Sequence, residues 1–209
     1  MKSQGEKVLL YGGSGHAKVI IDCLRDSGYV VQGIFDDNPA LKSMAGVEFI
    51  GPYSPGIFPA LPIIISIGNN VIRKKIAQSV SHTPGLSVHP SVLQSPSAQI
   101  GQGSVLMHGA ILQADVQIGV HCIINTGASV DHDCVIDDYV HISPHTTLCG
   151  NVTVGEGSHI GAGATIIQGI KIGRWVTVGA GTVIIRDVPD YAVIVGNPGR
   201  IIKIKPSAL

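Results

Sequence analysis

Charge is the first thing this sequence is short of. Only 13% of its 209 residues are Asp, Glu, Lys or Arg, about half the share of an ordinary soluble domain. The 14 basic residues are balanced by 14 acidic ones, so no basic surplus is available to hold a nucleic-acid backbone. Aromatics are scarce at 4%, which argues against a core built around rings. Long apolar runs are missing too. A run such as Ile63–Ile65, with Ile67 nearby, is strand-sized and far below the roughly 18 to 20 residues of a membrane helix. Val8–Tyr11 is cut off by glycines too soon to serve as the core of a secretion signal. The four cysteines, Cys23, Cys122, Cys134 and Cys149, lack C-x-x-C spacing and read as reduced thiols. A cytoplasmic protein is expected, its weakly charged surface partly covered by other subunits.

What the sequence does have is 44% hydrophobic residues and 27 glycines, enough to bury a core. It also has a repeat. Stepping by six from Val88 gives Val88, Gln94, Ile100, Leu106, Leu112, Ile118 and so on to Ile184, and sixteen of these seventeen positions are aliphatic. Four residues after each lies a small or β-branched residue, such as Ala110, Cys122, Cys134 or Ala164. A period of six is neither the 3.6 of an α-helix nor the two of a strand. It fits a chain that bends every six residues, with three sides closing an 18-residue coil and coils stacking about 4.8 Å apart. Residues 88–189 supply 17 hexads, hence five to six coils. Cys122 and Cys134 fall on the small inward position and read as core thiols. Cys149 and Cys23 have no visible activating partner. Glycine follows the inward aliphatic at 101, 119, 155, 161, 173 and 179, which suggests corners with positive φ.

Residues 1–80 have another rhythm. Val8–Tyr11, Val30–Phe35 and Pro62–Ile67 read as strands, and helical patterns follow the first and the third. Such an order predicts a small Rossmann-like parallel sheet covered by helices. The turn Gly12-Gly13-Ser14-Gly15-His16 enters a helix, where bare N–H groups accept a phosphate. The third glycine of a dinucleotide fingerprint is replaced by Lys18, although Asp36 and Asp37 sit where a ribose-binding acid belongs. A nucleotide-type ligand therefore fits better than bound NAD. Asn38-Pro39 and 51–59 read as loops, 81–87 as a linker and 190–209 as a C-terminal tail.

Histidine titrates near neutral pH, and the chain has nine. The densest cluster is Asp131-His132-Asp133, with His141, His145 and His159 beyond it. His141 and His159 are 18 apart and should stack on one edge, whereas His121 and His145 read as capping or solvent-facing. The spacing of His141 and His145 does not suit a zinc triad of the carbonic anhydrase type, so no metal is expected.

From Tyr11-Gly12-Gly13-Ser14-Gly15-His16 through Ile67-Gly68-Asn69-Asn70 and Val130-Asp131-His132-Asp133-Cys134 to Val195-Gly196-Asn197-Pro198, the chain resembles the bacterial sugar O- and N-acetyltransferases. These include sialic-acid O-acetyltransferases and N-acetyltransferases of nucleotide-linked 4-amino-4,6-dideoxysugars, as in the bacillosamine and perosamine pathways. The resemblance implies that residues 88–189 form a left-handed parallel β-helix and that the protein is a homotrimer holding acetyl-CoA between subunits. It also implies a sugar-nucleotide site at Ser14, Gly15, His16, Asp36, Asp37 and Gly68. His132 would be the general base and Asp133 its supporting acid. Asn125 and His141 would lie near the acyl group and cofactor, and Ala162 and Ala180 along the pantetheine arm. Asp133 stands where some members carry Glu, and neighbours in a flat strand point to opposite sides, so its reach to His132 requires a bend.

The implied reaction is acetyl transfer from acetyl-CoA to the amino group of a UDP- or GDP-linked 4-aminosugar, with no covalent acyl-enzyme. O-acetylation of sialic acid or another sugar hydroxyl is the enzymatic alternative, and a non-catalytic nucleotide-sugar-binding scaffold the alternative of another class. The basic residues Arg200, Lys203 and Lys205 fit either a contact to the cofactor's phosphates or a solvated end.

Overall fold

The structure, a computed structural model, describes residues 5–206. The first residues of the segment read for a leader, and the last three of the tail, lie outside the described residues.

The N-terminal unit runs β1 (Lys7–Tyr11), α1 (Gly15–Asp26), β2 (Val30–Phe35), β3 (Ser43–Met44), β4 (Val47–Glu48), β5 (Ile63–Ile65) and α2 (Asn70–Ser79). Its parallel sheet has the order β2-β1-β5. The central strand is apolar throughout its middle because both faces are covered, and Leu9 and Leu10 are fully buried. The third strand is shorter than its apolar run. The Ser66 hydroxyl donates to the Tyr11 and Gly12 carbonyls at 3.0 and 2.6 Å and turns the chain toward α2. There the Asn69 side chain caps the helix by accepting the Ile72 N–H at 3.0 Å. The small antiparallel pair β3–β4 lies in a stretch with no strand-like alternation.

From Ser87 onward the chain forms two-residue strands every six residues, and each pairs in parallel with the strand eighteen residues away, as Ile111 does with Ser129. Three faces result. The first runs through 93–94, 111–112 and on to 183–184. The second runs from 99–100 to 171–172, and the third from 87–88 to 177–178. About six coils stack, as the repeat requires. The third face continues into Ala192–Val195, which then pairs antiparallel with Arg200–Ile204. The inward aliphatics form one core with Ala110, Cys122, Ala128 and Cys134. Polar residues at the small position are satisfied inside the prism, with Ser104, Thr146 and Ser158 donating to the carbonyls of Gly119, Gly161 and Gly173.

The corners correct one expectation. Positive φ falls on the second corner residue, including Gly103 (79°), Gly127 (63°), Asp133 (59°), Tyr139 (59°) and Trp175 (55°). The glycines that directly follow the inward aliphatic lie outside the left-handed region. They are needed for another reason, the close approach of the next coil. A Cβ on Gly161 would sit 2.6 Å from the Val178 carbonyl oxygen, and one on Gly101 2.5 Å from Gly119.

The N-terminal unit packs on the third face. Val105, Met107 and Ile123 of the prism share a core with Val8, Ile20, Ile21, Cys23 and Leu24. Replacing Gly161 with Ala should therefore lower unfolding free energy by about 1–3 kcal/mol through backbone overpacking. At Gly109 an added Cβ meets nothing within 4 Å and φ is +66°, so Gly109→Ala should cost about 1–2 kcal/mol, from dihedral strain alone. Urea titration of the two variants measures both.

Candidate active site

His132 occupies the first position of the corner between the first and second faces. Asp133, at the second position, takes the left-handed conformation with φ 59°. That bend brings two adjacent side chains to one side, with His132 Nδ1 lying 2.7 Å from Asp133 Oδ2. The carboxylate accepts the Nδ1 proton, which leaves Nε2 unprotonated with its lone pair unused. Asp131 accepts the His132 backbone N–H at 2.8 Å. The ring is exposed, and its pKa is raised, first by the Asp133 hydrogen bond and then by the Asp131 charge. An exposed imidazole with one nitrogen tied to a carboxylate and the other open is arranged to take a proton.

A second histidine group lies between the prism and the N-terminal unit. The His141 and His159 rings stack at 4.7 Å with 7° between planes, the spacing expected of residues one coil apart. The His16 ring lies 6.0 Å from that of His141. The Asn125 side-chain oxygen accepts the Thr126 N–H at 2.8 Å, and its amide nitrogen therefore donates to His141 Nε2 at 3.1 Å. This fixes the remaining proton of His141 on Nδ1, which makes no full hydrogen bond but faces the Gly68 carbonyl. Burial holds His16 down to about 4 and His141 to about 3, and nearby positive charge adds to both shifts.

Much of that charge belongs to Arg73, 1% exposed, which no sequence pattern separated from Lys74 and Lys75 in the same helix. Its guanidinium donates to the His121, Ile67, Gly68 and Tyr139 carbonyls and to Asn70 Oδ1, at 2.8–3.3 Å. Asn70 in turn donates to the Gly157 and Ser158 carbonyls. Helix α2 thus fastens the Gly68 loop to the edge between the second and third faces. His121 stacks on Tyr139 at 5.5 Å along this edge.

At the mouth of the N-terminal unit, Ser14 precedes α1 but makes no side-chain cap, and no acidic residue stands in the first turn. Ser14 and Gly15 are exposed, so the helix start faces outward with its positive dipole end. Asp36 does not stand free as a ribose acceptor. Its carboxylate already accepts Gly13 N–H at 2.7 Å and Asn38 N–H at 2.9 Å. Asp37 is exposed beside it.

Within one chain, His16, Gly68, Asn125 and His141 come together, and His132 with Asp133 does not join them. The His132–Asp133 pair lies on the edge opposite the third face, on which the N-terminal unit sits. Ala162 and Ala180 stack, exposed, on the remaining edge, between the third and first faces. Cys122 and Cys134 are buried in the prism core, and one expectation is corrected: Cys23 Sγ lies 3.6 Å from His108 Nδ1. Burial nevertheless pushes its thiol up to about 11, and it is no nucleophile. Nearby, Asp26, His89 and His108 offer three ligand atoms to one point. However, His89 Nδ1 accepts the Ser91 N–H at 3.1 Å, so its Nε2 carries a proton toward Asp26, 3.0 Å away. The group reads as a latch between α1 and the first coils. Lys205, of the basic tail, bonds the Trp175 carbonyl and Thr177 hydroxyl.

A hexapeptide prism with a carboxylate-supported imidazole on one edge and a glycine-looped parallel-sheet unit on the opposite face defines a hexapeptide-repeat acyltransferase. Comparison with known proteins agrees. Residues 7–80 match the PglD N-terminal domain, and residues 133–168 and 151–186 match the bacterial transferase hexapeptide repeats. A GDP-perosamine N-acetyltransferase of Caulobacter crescentus, solved as a histidine-to-alanine variant with CoA and GDP-perosamine, is 38% identical with a TM-score of 0.90. The match covers 93% of this chain and 96% of that one. The acetyltransferase domain of PglB from Neisseria gonorrhoeae, in complex with acetyl coenzyme A, is 38% identical with a TM-score of 0.88 over 95% and 100% of the two chains. The UDP-N-acetylbacillosamine N-acetyltransferase of Bacillus subtilis is 42% identical over 117 residues, 49% of this chain and 51% of its own length. An uncharacterized protein of Acanthamoeba polyphaga mimivirus matches over 22% of its length. The chain belongs to the nucleotide-sugar N-acetyltransferase family that joins a PglD-type N-terminal domain to a hexapeptide β-helix.

Two outcomes follow from the buried groups. Arg73→Leu leaves several buried acceptors unpaired and should cost about 3 kcal/mol or more, read as a lowered urea midpoint. His16 and His141 titrate near 6.5 in the unfolded chain and near 4 and 3 when folded. Unfolding therefore takes up protons, and their contribution to stability is lost as pH falls from about 6.5 toward those values. His141→Gln should show a shallower decline in urea midpoint over that interval.

Proposed function

We propose that the protein is a homotrimeric, cytoplasmic acetyltransferase that moves the acetyl group of acetyl-CoA onto the amine of a UDP- or GDP-linked 4-amino-4,6-dideoxysugar. The observation that carries this reading is the His132–Asp133 pair, 2.7 Å apart on an exposed edge with Nε2 open. A sugar ammonium is not a nucleophile, so it first gives one proton to solvent. The amine nitrogen then attacks the thioester carbon, His132 Nε2 accepts a second proton from that nitrogen, and the C–S bond breaks. The departing thiolate then recovers the proton as the CoA thiol. Asp133 favours the imidazolium that forms in between.

Three prisms closing around a threefold axis create three equivalent clefts. Since His132 and the His16–Asn125–His141 group lie on different sides of one chain, a cleft between subunits is where they would meet. In that arrangement the exposed start of α1 and the Gly68 loop receive the nucleotide diphosphate. Asn125 and His141 sit beside the acyl group, and the Ala162–Ala180 edge follows the pantetheine. His16 and His141 are neutral at pH 7, His141 with its Nδ1 proton fixed. They are therefore suited to orienting neutral groups by hydrogen bonds.

A thiol-release assay with acetyl-CoA over UDP- and GDP-linked 4-aminosugars, beside free sialic acid, tests the reading. Release is expected with an aminosugar, and His132→Ala should lower kcat about 10²–10⁴-fold while nucleotide binding persists. Reaction with hydroxyl acceptors alone would replace N-acetylation by O-acetylation, and release with none would leave a binding scaffold.

A further inference from the structure

Glycine appears in this prism for two structural reasons, positive φ at the second corner position and contact with the next coil after the inward aliphatic. Gly150 has neither. It occupies the first corner position, where the other fifteen corners from 90–91 to 180–181 carry Pro, Gln, His, Ala, Val, Thr, Asp, Glu or Arg. Its φ is outside the left-handed region, and the three atoms nearest to where its Cβ would stand all belong to one imidazole. They are His132 Cε1 and Nε2 at 2.6 Å and Nδ1 at 3.2 Å. Gly150 is buried although His132, one coil earlier, is exposed, because the ring lies over it.

We propose that Gly150 is a positioning residue for the reaction assigned above, its missing side chain forming the seat on which the His132 ring rests in register with Asp133. The proposal rests on His132 being the base. An exposed histidine has little else to hold it. Asp131 fixes the backbone N–H of His132, and Asp133 holds one ring nitrogen. A methyl group at 150 cannot coexist with the ring in its present place, and the flexible side chain yields before the coil does. Swinging outward, the imidazole leaves the Asp133 carboxylate, loses its fixed proton position and presents Nε2 at the wrong angle to the acceptor.

The test is Gly150→Ala, with Gln168→Ala on the same edge as control. Since the backbone at 150 is ordinary, the variant should fold with an unchanged or slightly raised melting temperature and bind nucleotide sugar as the parent does. Its kcat should fall about 10–100-fold with little change in acceptor KM. In the NMR titration its His132 pKa should drop back toward that of an ordinary surface histidine, while Gln168→Ala changes neither. The parent protein should show an NOE between the His132 ring protons and the Gly150 α protons. An unchanged His132 titration in Gly150→Ala, or a missing NOE in the parent, overturns the seat whether or not any sugar is acetylated. An unchanged kcat in an active enzyme overturns its part in the reaction.

Discussion

The stacking of chain segments eighteen residues apart governs everything else in this molecule. Parallel ladders of two-residue strands hold each coil one strand spacing above the last, and between Val88 and Ile184 no insertion disturbs the count. A residue's number therefore fixes its edge or face. The same regularity makes departures meaningful. A side chain that needs room has to take it from the coil above or below, as Trp175 takes it from Gly157 and His121 from Gly103.

Two electrostatic kinds of histidine bear on the site. Those under the N-terminal unit lie in a mostly buried seam beside the Arg73 guanidinium, and burial first, then charge, lowers their pKa. His132 lies in water between two carboxylates, which favour its protonated form. His141 and His159 hold hydrogen bonds to Asn125 and Ser143, whereas His132 stands exposed with one nitrogen on Asp133. In the proposed reaction, seam and edge supply complementary parts of an acyl transfer, and the fold keeps them on opposite sides of each prism.

The prism was legible because a solenoid is nearly one-dimensional. Each hexad makes the same demand of its neighbours, so the pattern states the core, the coil length and the stacking of His141 on His159. The parallel sheet and both helices were also legible, within a residue or two for β1, β2 and α2. What hid was local geometry at the corners. Asp, His, Tyr, Asn and Trp adopt positive φ there alongside seven glycines from Gly103 to Gly181, so the mixture of residues masked the rule, while the glycines after the inward aliphatic pointed to the wrong position. The bend that joins His132 to Asp133 was invisible for that reason. Arg73 hid for another. In a helix with three consecutive cationic residues, only the packing of α2 against the prism decides which one turns inward.

Each oxygen that holds Arg73 belongs to a peptide or an amide, and none to a carboxylate. Among the described residues the seam therefore carries a full cation with no carboxylate counter-ion, in a medium that screens poorly. Its field reaches out through the Gly68 loop to the mouth of the N-terminal unit, on the same side as the uncapped start of α1. An approaching diphosphate is the natural neutraliser of such a field. In the proposed function, the joint that binds the two halves would hold, out of contact with water, the charge that draws the nucleotide in.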